Sequence, residues 1–198
     1  LNQGDGVLIP NPGYPTYASV TELVGARAVP YTLSAATNWL PNLEELAKQD
    51  LTGVKLIWVN YPHMPTGAKA DVVFLAELIA FAKTHDLLII NDNPYANILN
   101  DAPMSLLQLP GAKKIALELQ SLSKAYNMAG WRVGMVCGSA GHIQDILKVK
   151  SNMDSGMFFG LQQGAMAALA QGTAWFSELN ATYKSRRELI WQLAEALG

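Results

Sequence analysis

Six short runs rich in Val, Ile and Leu, separated by longer amphipathic stretches, limit this chain's fold more than any other feature. They are "GVLIP", "RAVPYTL", "KLIWVNYP", "DLLIINDN", "KIALELQS" and "WRVGMVCG". Their apolar residues are continuous rather than alternating, the pattern of strands covered on both faces. Helical stretches are predicted over residues 15–25, 42–50, 71–85, 142–152 and 157–171. In "DVVFLAELIAFAKTHD" the residues Val73, Leu75, Leu78, Ile79 and Ala82 recur at near-helical spacing, with Asp71 placed to cap the first turn. Strands alternating with helices imply an α/β fold, a three-layer α/β/α sandwich around a mostly parallel sheet. The opening "LNQGDGVLIPNP" reads as the end of a helix, a Gly-Asp-Gly turn and a strand. After Gly172, "AWFSELNATYKSRRELIWQLAEALG" reads as one long helix leaving the sandwich.

Half of the 198 residues are apolar, enough for a sizeable core. A net charge of −2 with no Lys/Arg block argues against nucleic acid or an anionic membrane as a partner. No apolar run approaches the roughly 20 residues of a spanning helix. The one cysteine, Cys137, sits in "VGMVCG" and is expected to be a buried small hydrophobe. With no cysteine framework and no signal-like start, a cytoplasmic protein is expected. No metal site is expected.

In an open parallel sheet, ligands bind beyond the carboxyl ends of the strands, where loops and helix N-termini converge. The residues at those positions here are Asn11 to Tyr14, Asn60 to Gly67, Asp92 and Tyr95, and Ser121, Ser123 and Lys124. An isolated lysine in a loop is ordinarily a solvated charge. Lys124, however, lies beside two serines and eight residues before Arg132, so an amine, hydroxyls and a fixed cation meet in one segment. That set suits a phosphorylated carbonyl compound, the amine attacking the carbonyl and the other groups holding the phosphate. Asp92 ends a buried strand, where a carboxylate needs a partner. Tyr14 offers a rigid aromatic face, although packing in a turn explains it equally.

The motifs "PNPGYPTY", "NYPHMPTGA", "NDNPY" and "SLSKAYNMAGWRVG", in this order and spacing, resemble those of the class I/II aminotransferases, fold-type I enzymes dependent on pyridoxal 5'-phosphate (PLP). The resemblance implies that Lys124 forms the Schiff base with PLP and shuttles the substrate proton. It implies that Asp92 pairs with the pyridine nitrogen and that Tyr95 hydrogen-bonds O3'. Ser121 and Arg132 match the phosphate ligands, Ser123 lies beside them, and Tyr14 matches the aromatic residue stacked on the ring. The reaction implied is amino-group transfer between an amino acid and a 2-oxo acid, by a homodimer. A PLP-dependent beta-lyase on the same scaffold, or a non-catalytic truncated binding module, is the alternative.

Two departures from the family pattern stand out. The turn usually reads H-N-P-T-G, and its asparagine reaches O3' and the substrate carboxylate; here that position is Met64. A thioether cannot donate a hydrogen bond, so either Asn60 or another group substitutes, or Tyr95 does most of the tuning. Family chains are also about twice as long, with an upstream phosphate loop and a downstream small domain. Residues 1–172 are therefore expected to be a PLP-binding large domain incomplete at its N-terminus, and 173–198 a helix connecting toward a small domain. Such a fragment is expected to bind PLP weakly and to transaminate negligibly on its own.

Overall fold

A computed structural model describes all of residues 1–198. Its six strands are β1 (Gly6–Asn11), β2 (Arg27–Thr32), β3 (Val54–Val59), β4 (Leu88–Asp92), β5 (Ala116–Ser121) and β6 (Gly134–Gly138). They form one sheet in the order β2-β1-β3-β4-β5-β6. All neighbours are parallel except β5 and β6. The helices are α1 (Thr16–Leu23), α2 (Leu43–Ala47), α3 (Val72–Thr84), α4 (Leu122–Ala125), α5 (Ala140–Met153), α6 (Phe159–Leu169) and α7 (Thr173–Leu197). The expected sandwich is present.

Alternate side chains of the central strands enter different layers, as the pleat requires. Val7 and Ile9 pack with Tyr17 and Ala26 on the α1 side, where Leu56 and Trp58 of β3 join them. Leu8, Ile57, Val59 and Ile89 face the other way, into the main core with Phe74, Leu78, Ile79 and Ala82 of α3. Apolar residues are needed on both sides, which is why these runs are continuous. Asp71 caps α3 as expected, its carboxylate accepting the Phe74 N–H at 2.8 Å. Leu78 is fully buried. Leu78→Ala is expected to cost about 2–5 kcal/mol in chemical denaturation, through lost transfer energy and the cavity left behind.

Four local expectations are corrected. Val73 is 62% exposed, and Phe74 faces the core in its place. Residues 1–2 carry no regular secondary structure, although the turn and strand after them are present. The runs in β6 and β2, the two edge strands, are not covered on both faces: the residues of β6 are exposed or half-buried, and in β2 only Tyr31 is buried. Cys137 is exposed as well. The reason is topological, since β6 is an edge strand with a neighbour only in β5. A run of apolar residues does not distinguish an edge strand from a central one.

Helix α7 has no buried residue, and its last turns expose Leu189, Ile190, Trp191 and Leu193. No helix is long and apolar enough to cross a membrane.

Candidate active site

The carboxyl ends of β1, β3, β4 and β5 open on one cavity of about 360 Å3. Lys124, Asp92, Tyr95, Tyr14, Ser121, Ser123, Arg132, Met64 and Asn60 all line it, joined by Tyr17, Pro94 and Ala129. The sheet order accounts for this convergence, because β3, β4 and β5 are consecutive neighbours with parallel β3–β4 and β4–β5 pairings.

Lys124 stands on α4, a single helical turn that begins where β5 ends. Ser121 caps that turn, its hydroxyl oxygen accepting the Ser123 N–H at 3.1 Å. The Leu122 N–H donates to the Val133 carbonyl and ties the turn to the segment entering β6. Lys124 is exposed, and no hydrogen bond or ion pair engages its amine. Arg132 adopts a left-handed backbone (φ 56°), and its guanidinium donates to the Ala129 carbonyl at 2.9 Å.

Asp92 lines the same cavity from the end of β4. The Tyr17 hydroxyl donates to its Oδ2 at 2.7 Å, while the Asn60 amide nitrogen donates to its backbone carbonyl at 2.6 Å. Burial raises the Asp92 carboxyl above the usual range, and the Tyr17 hydrogen bond opposes that rise. Tyr17 is held well above the ordinary tyrosine range by burial and by Asp92, so it remains a donor. The Tyr95 hydroxyl is raised by burial and then by the Asp92 charge. Tyr17 is itself fixed by stacking on Trp58, with ring centroids 4.8 Å apart, and Tyr14 meets it edge-on at 5.7 Å.

Asn60 also accepts the Met64 N–H at 2.8 Å. Its side chain therefore braces the Met64 turn against β4. The Tyr95 hydroxyl, by contrast, makes no hydrogen bond within the protein and is free toward the cavity.

The sequence reading missed Tyr17. Its three-residue spacing from Tyr14 was visible, but nothing local marks Asp92, 75 residues away, as its partner. Tyr17→Phe removes the donor to the Asp92 carboxylate and is expected to move the Asp92 pKa further upward. A carbon-detected NMR titration of the Asp92 carboxyl measures this, and an unchanged midpoint would contradict the assignment.

The same reading missed that α7 fastens both loops of the site. The Trp175 indole N–H donates to the carbonyl of Ala125, next to Lys124, at 3.1 Å. Phe176 packs edge-on against Tyr126, with centroids 5.4 Å apart. Asn180 donates to the Asn97 carbonyl at 2.9 Å and accepts the Leu99 N–H at 2.8 Å, securing the loop that follows Tyr95. One rigid helix thus sets the spacing between the Lys124 turn and the Tyr95 loop.

The sequence profile of aminotransferase class I and II matches residues 1–198. LL-diaminopimelate aminotransferase 2 of Trichormus variabilis is 41% identical over 200 residues, which cover 100% of this chain and 51% of that protein. LL-diaminopimelate aminotransferase of Dehalococcoides mccartyi is 42% identical over 200 residues, covering 100% and 52%. Among solved structures, substrate-bound BacF of Bacillus subtilis aligns with TM-score 0.93 at 39% identity, over 99% of this chain and 50% of that one. The chain spans about half the length of the curated relatives it matches. With the profile matched from end to end and the fold shared, the chain belongs to the class I and II aminotransferases, a PLP-dependent family.

Proposed function

We propose that the protein carrying this chain is an aminotransferase that uses PLP to move an amino group between an amino acid and a 2-oxo acid. The observation that carries this reading is the unengaged amine of Lys124 in the same cavity as a half-buried carboxylate, Asp92, held by a tyrosine hydroxyl.

The residues present fit the cofactor on their own chemistry. An amine with no protein partner is available for a covalent link to an aldehyde carbon. The hydroxyls of Ser121 and Ser123, with Arg132, gather donors suited to a phosphate beside it. Burying Asp92 with only a neutral donor on its carboxylate is unfavourable in isolation and favourable opposite a protonated ring nitrogen. The Tyr14 ring is at hand to stack, and the free Tyr95 hydroxyl to donate to the ring oxygen. PLP, when bound, supplies the electron-withdrawing ring that makes the substrate's α-proton acidic. With PLP bound, Lys124 would hold it and, once freed, would carry the substrate's α-proton; Asp92 would pair with the ring nitrogen, and Tyr17 holds Asp92 in place.

Residues 1–172 then act as the PLP-binding large domain, with 173–198 as a connecting helix. The homodimer reading draws support from an apolar surface at the start of α6, where Phe158 is 74% and Phe159 68% exposed. A reducing cytoplasm suits the exposed thiol of Cys137.

The PLP-loaded protein is expected to form 2-oxoglutarate from glutamate beyond one equivalent per cofactor only when a second 2-oxo acid is supplied as acceptor. Release of ammonia and pyruvate from a cysteine-type substrate without an acceptor would instead assign the lyase chemistry. The relatives named above are aminotransferases, which favours transfer.

A further inference from the structure

We propose that Asn180 of α7 is a positioning residue for Tyr95: by clamping the loop that follows Tyr95, it holds the Tyr95 hydroxyl where it can donate to the ring oxygen of PLP. This rests on the PLP reading above.

Tyr95 opens a compact turn whose own bonds are internal. The Ile98 N–H donates to the Tyr95 carbonyl at 2.9 Å, and the Asn100 amide donates to the Ala96 carbonyl at 2.8 Å. The Tyr95 hydroxyl makes no hydrogen bond within the protein, so its place in the cavity follows from where the loop sits. Contacts from outside the loop decide that. Asn180 uses both ends of its side-chain amide there, the nitrogen donating to the Asn97 carbonyl at 2.9 Å and the oxygen accepting the Leu99 N–H at 2.8 Å. The Lys69 amine donates to the Leu99 carbonyl at 3.0 Å, so Leu99 is held at both of its backbone groups.

That double hold matches the backbone. Leu99 has a left-handed φ of 47°, which is unfavourable for a residue with a Cβ and persists only where the surroundings over-determine it. Asparagine suits the clamp because one planar group carries donor and acceptor together, whereas aspartate lacks the donor and leucine lacks both. The helix sets the distance as well. Trp175 fixes α7 to the Ala125 carbonyl beside Lys124, and a rise of about 1.5 Å per residue carries Asn180 about 7.5 Å further along the same helix. The Lys124 turn and the Tyr95 loop are thereby placed by one rigid element, and Asn180 is its grip on the second.

The test has two arms, both run on the protein carrying this chain. In protein labelled with 3-fluorotyrosine and free of cofactor, the Tyr95 fluorine resonance is assigned by its loss in Tyr95→Phe. Asn180→Leu is expected to shift and narrow that resonance toward the position of an exposed tyrosine. Asn180→Asp, which keeps the acceptor for Leu99 and loses the donor to Asn97, is expected to do so in part. A Tyr95 resonance unmoved in Asn180→Leu would overturn the clamp. Dissociation constants for PLP then complete a double-mutant cycle. Asn180→Leu and Tyr95→Phe are each expected to weaken binding about threefold to tenfold, the worth of one hydrogen bond, and the double variant no more than Tyr95→Phe alone. Losses that multiply in the double variant would show Asn180 supporting the fold and not Tyr95, and would overturn the proposal. Wild-type protein that retains no PLP would count against the proposed function, while the fluorine arm would still decide whether Asn180 holds Tyr95.

Discussion

Lys124→Ala is expected to abolish covalent retention of PLP and to lower turnover by the protein carrying this chain at least about a thousandfold. Two losses combine in this one substitution. The amine is the one lysine nitrogen in the cavity: Ser121 is engaged in capping α4, and the Arg132 guanidinium donates to the Ala129 carbonyl. In the proposed reaction the same amine is also the base for the substrate's α-proton, and a positioned base alone contributes about 10²–10⁴ in rate. Folding should be unaffected, because Lys124 is exposed and makes no hydrogen bond or ion pair. Circular dichroism and the denaturation midpoint therefore serve as controls. A variant that keeps its turnover would show that Lys124 is not the reacting amine.

Asp92→Asn is expected to act in opposite directions on activity and stability. Turnover should fall at least about a hundredfold, since a neutral amide cannot stabilise the proton on the ring nitrogen. Stability at pH 7 should rise, by up to about 1 kcal/mol. The sign follows from linkage. Burial raises the Asp92 pKa in the folded chain, so between the unfolded and folded values the native state binds more protons than the unfolded state. Stability declines as pH rises through that window and stays lower above it. Asparagine does not titrate and can still accept from Tyr17, so the variant should gain above the window and show no advantage below the unfolded carboxylate value of about 3.8. Thermal unfolding at pH 3 and pH 7 checks both arms. A variant less stable at pH 7 would mean that Asp92 is a structural carboxylate.

Much of this was legible in the sequence, for identifiable reasons. The central strands announce themselves because both faces are buried, and the residues that follow them are where a parallel sheet presents a ligand site. The motifs around Lys124 and Asp92 then carry the family. What escaped is long-range. Tyr17 finds Asp92 only because the β1-β3-β4 order brings α1 over the end of β4. The edge position of β6, and hence the exposure of Cys137, is a property of the sheet and not of "VGMVCG". Asn60 looked like a substitute donor for the residue at Met64, and its hydrogen bonds to Asp92 and Met64 show it bracing the turn.

The central claim is that this cavity holds PLP through Lys124. Borohydride reduction of the chain mixed with PLP, followed by proteolysis and mass spectrometry, tests it directly. The account predicts modification concentrated on the peptide containing Lys124, and less of it in Tyr17→Phe and Asp92→Asn. Modification spread evenly over the surface lysines, with the Lys124 peptide no more reactive than the rest, would contradict it.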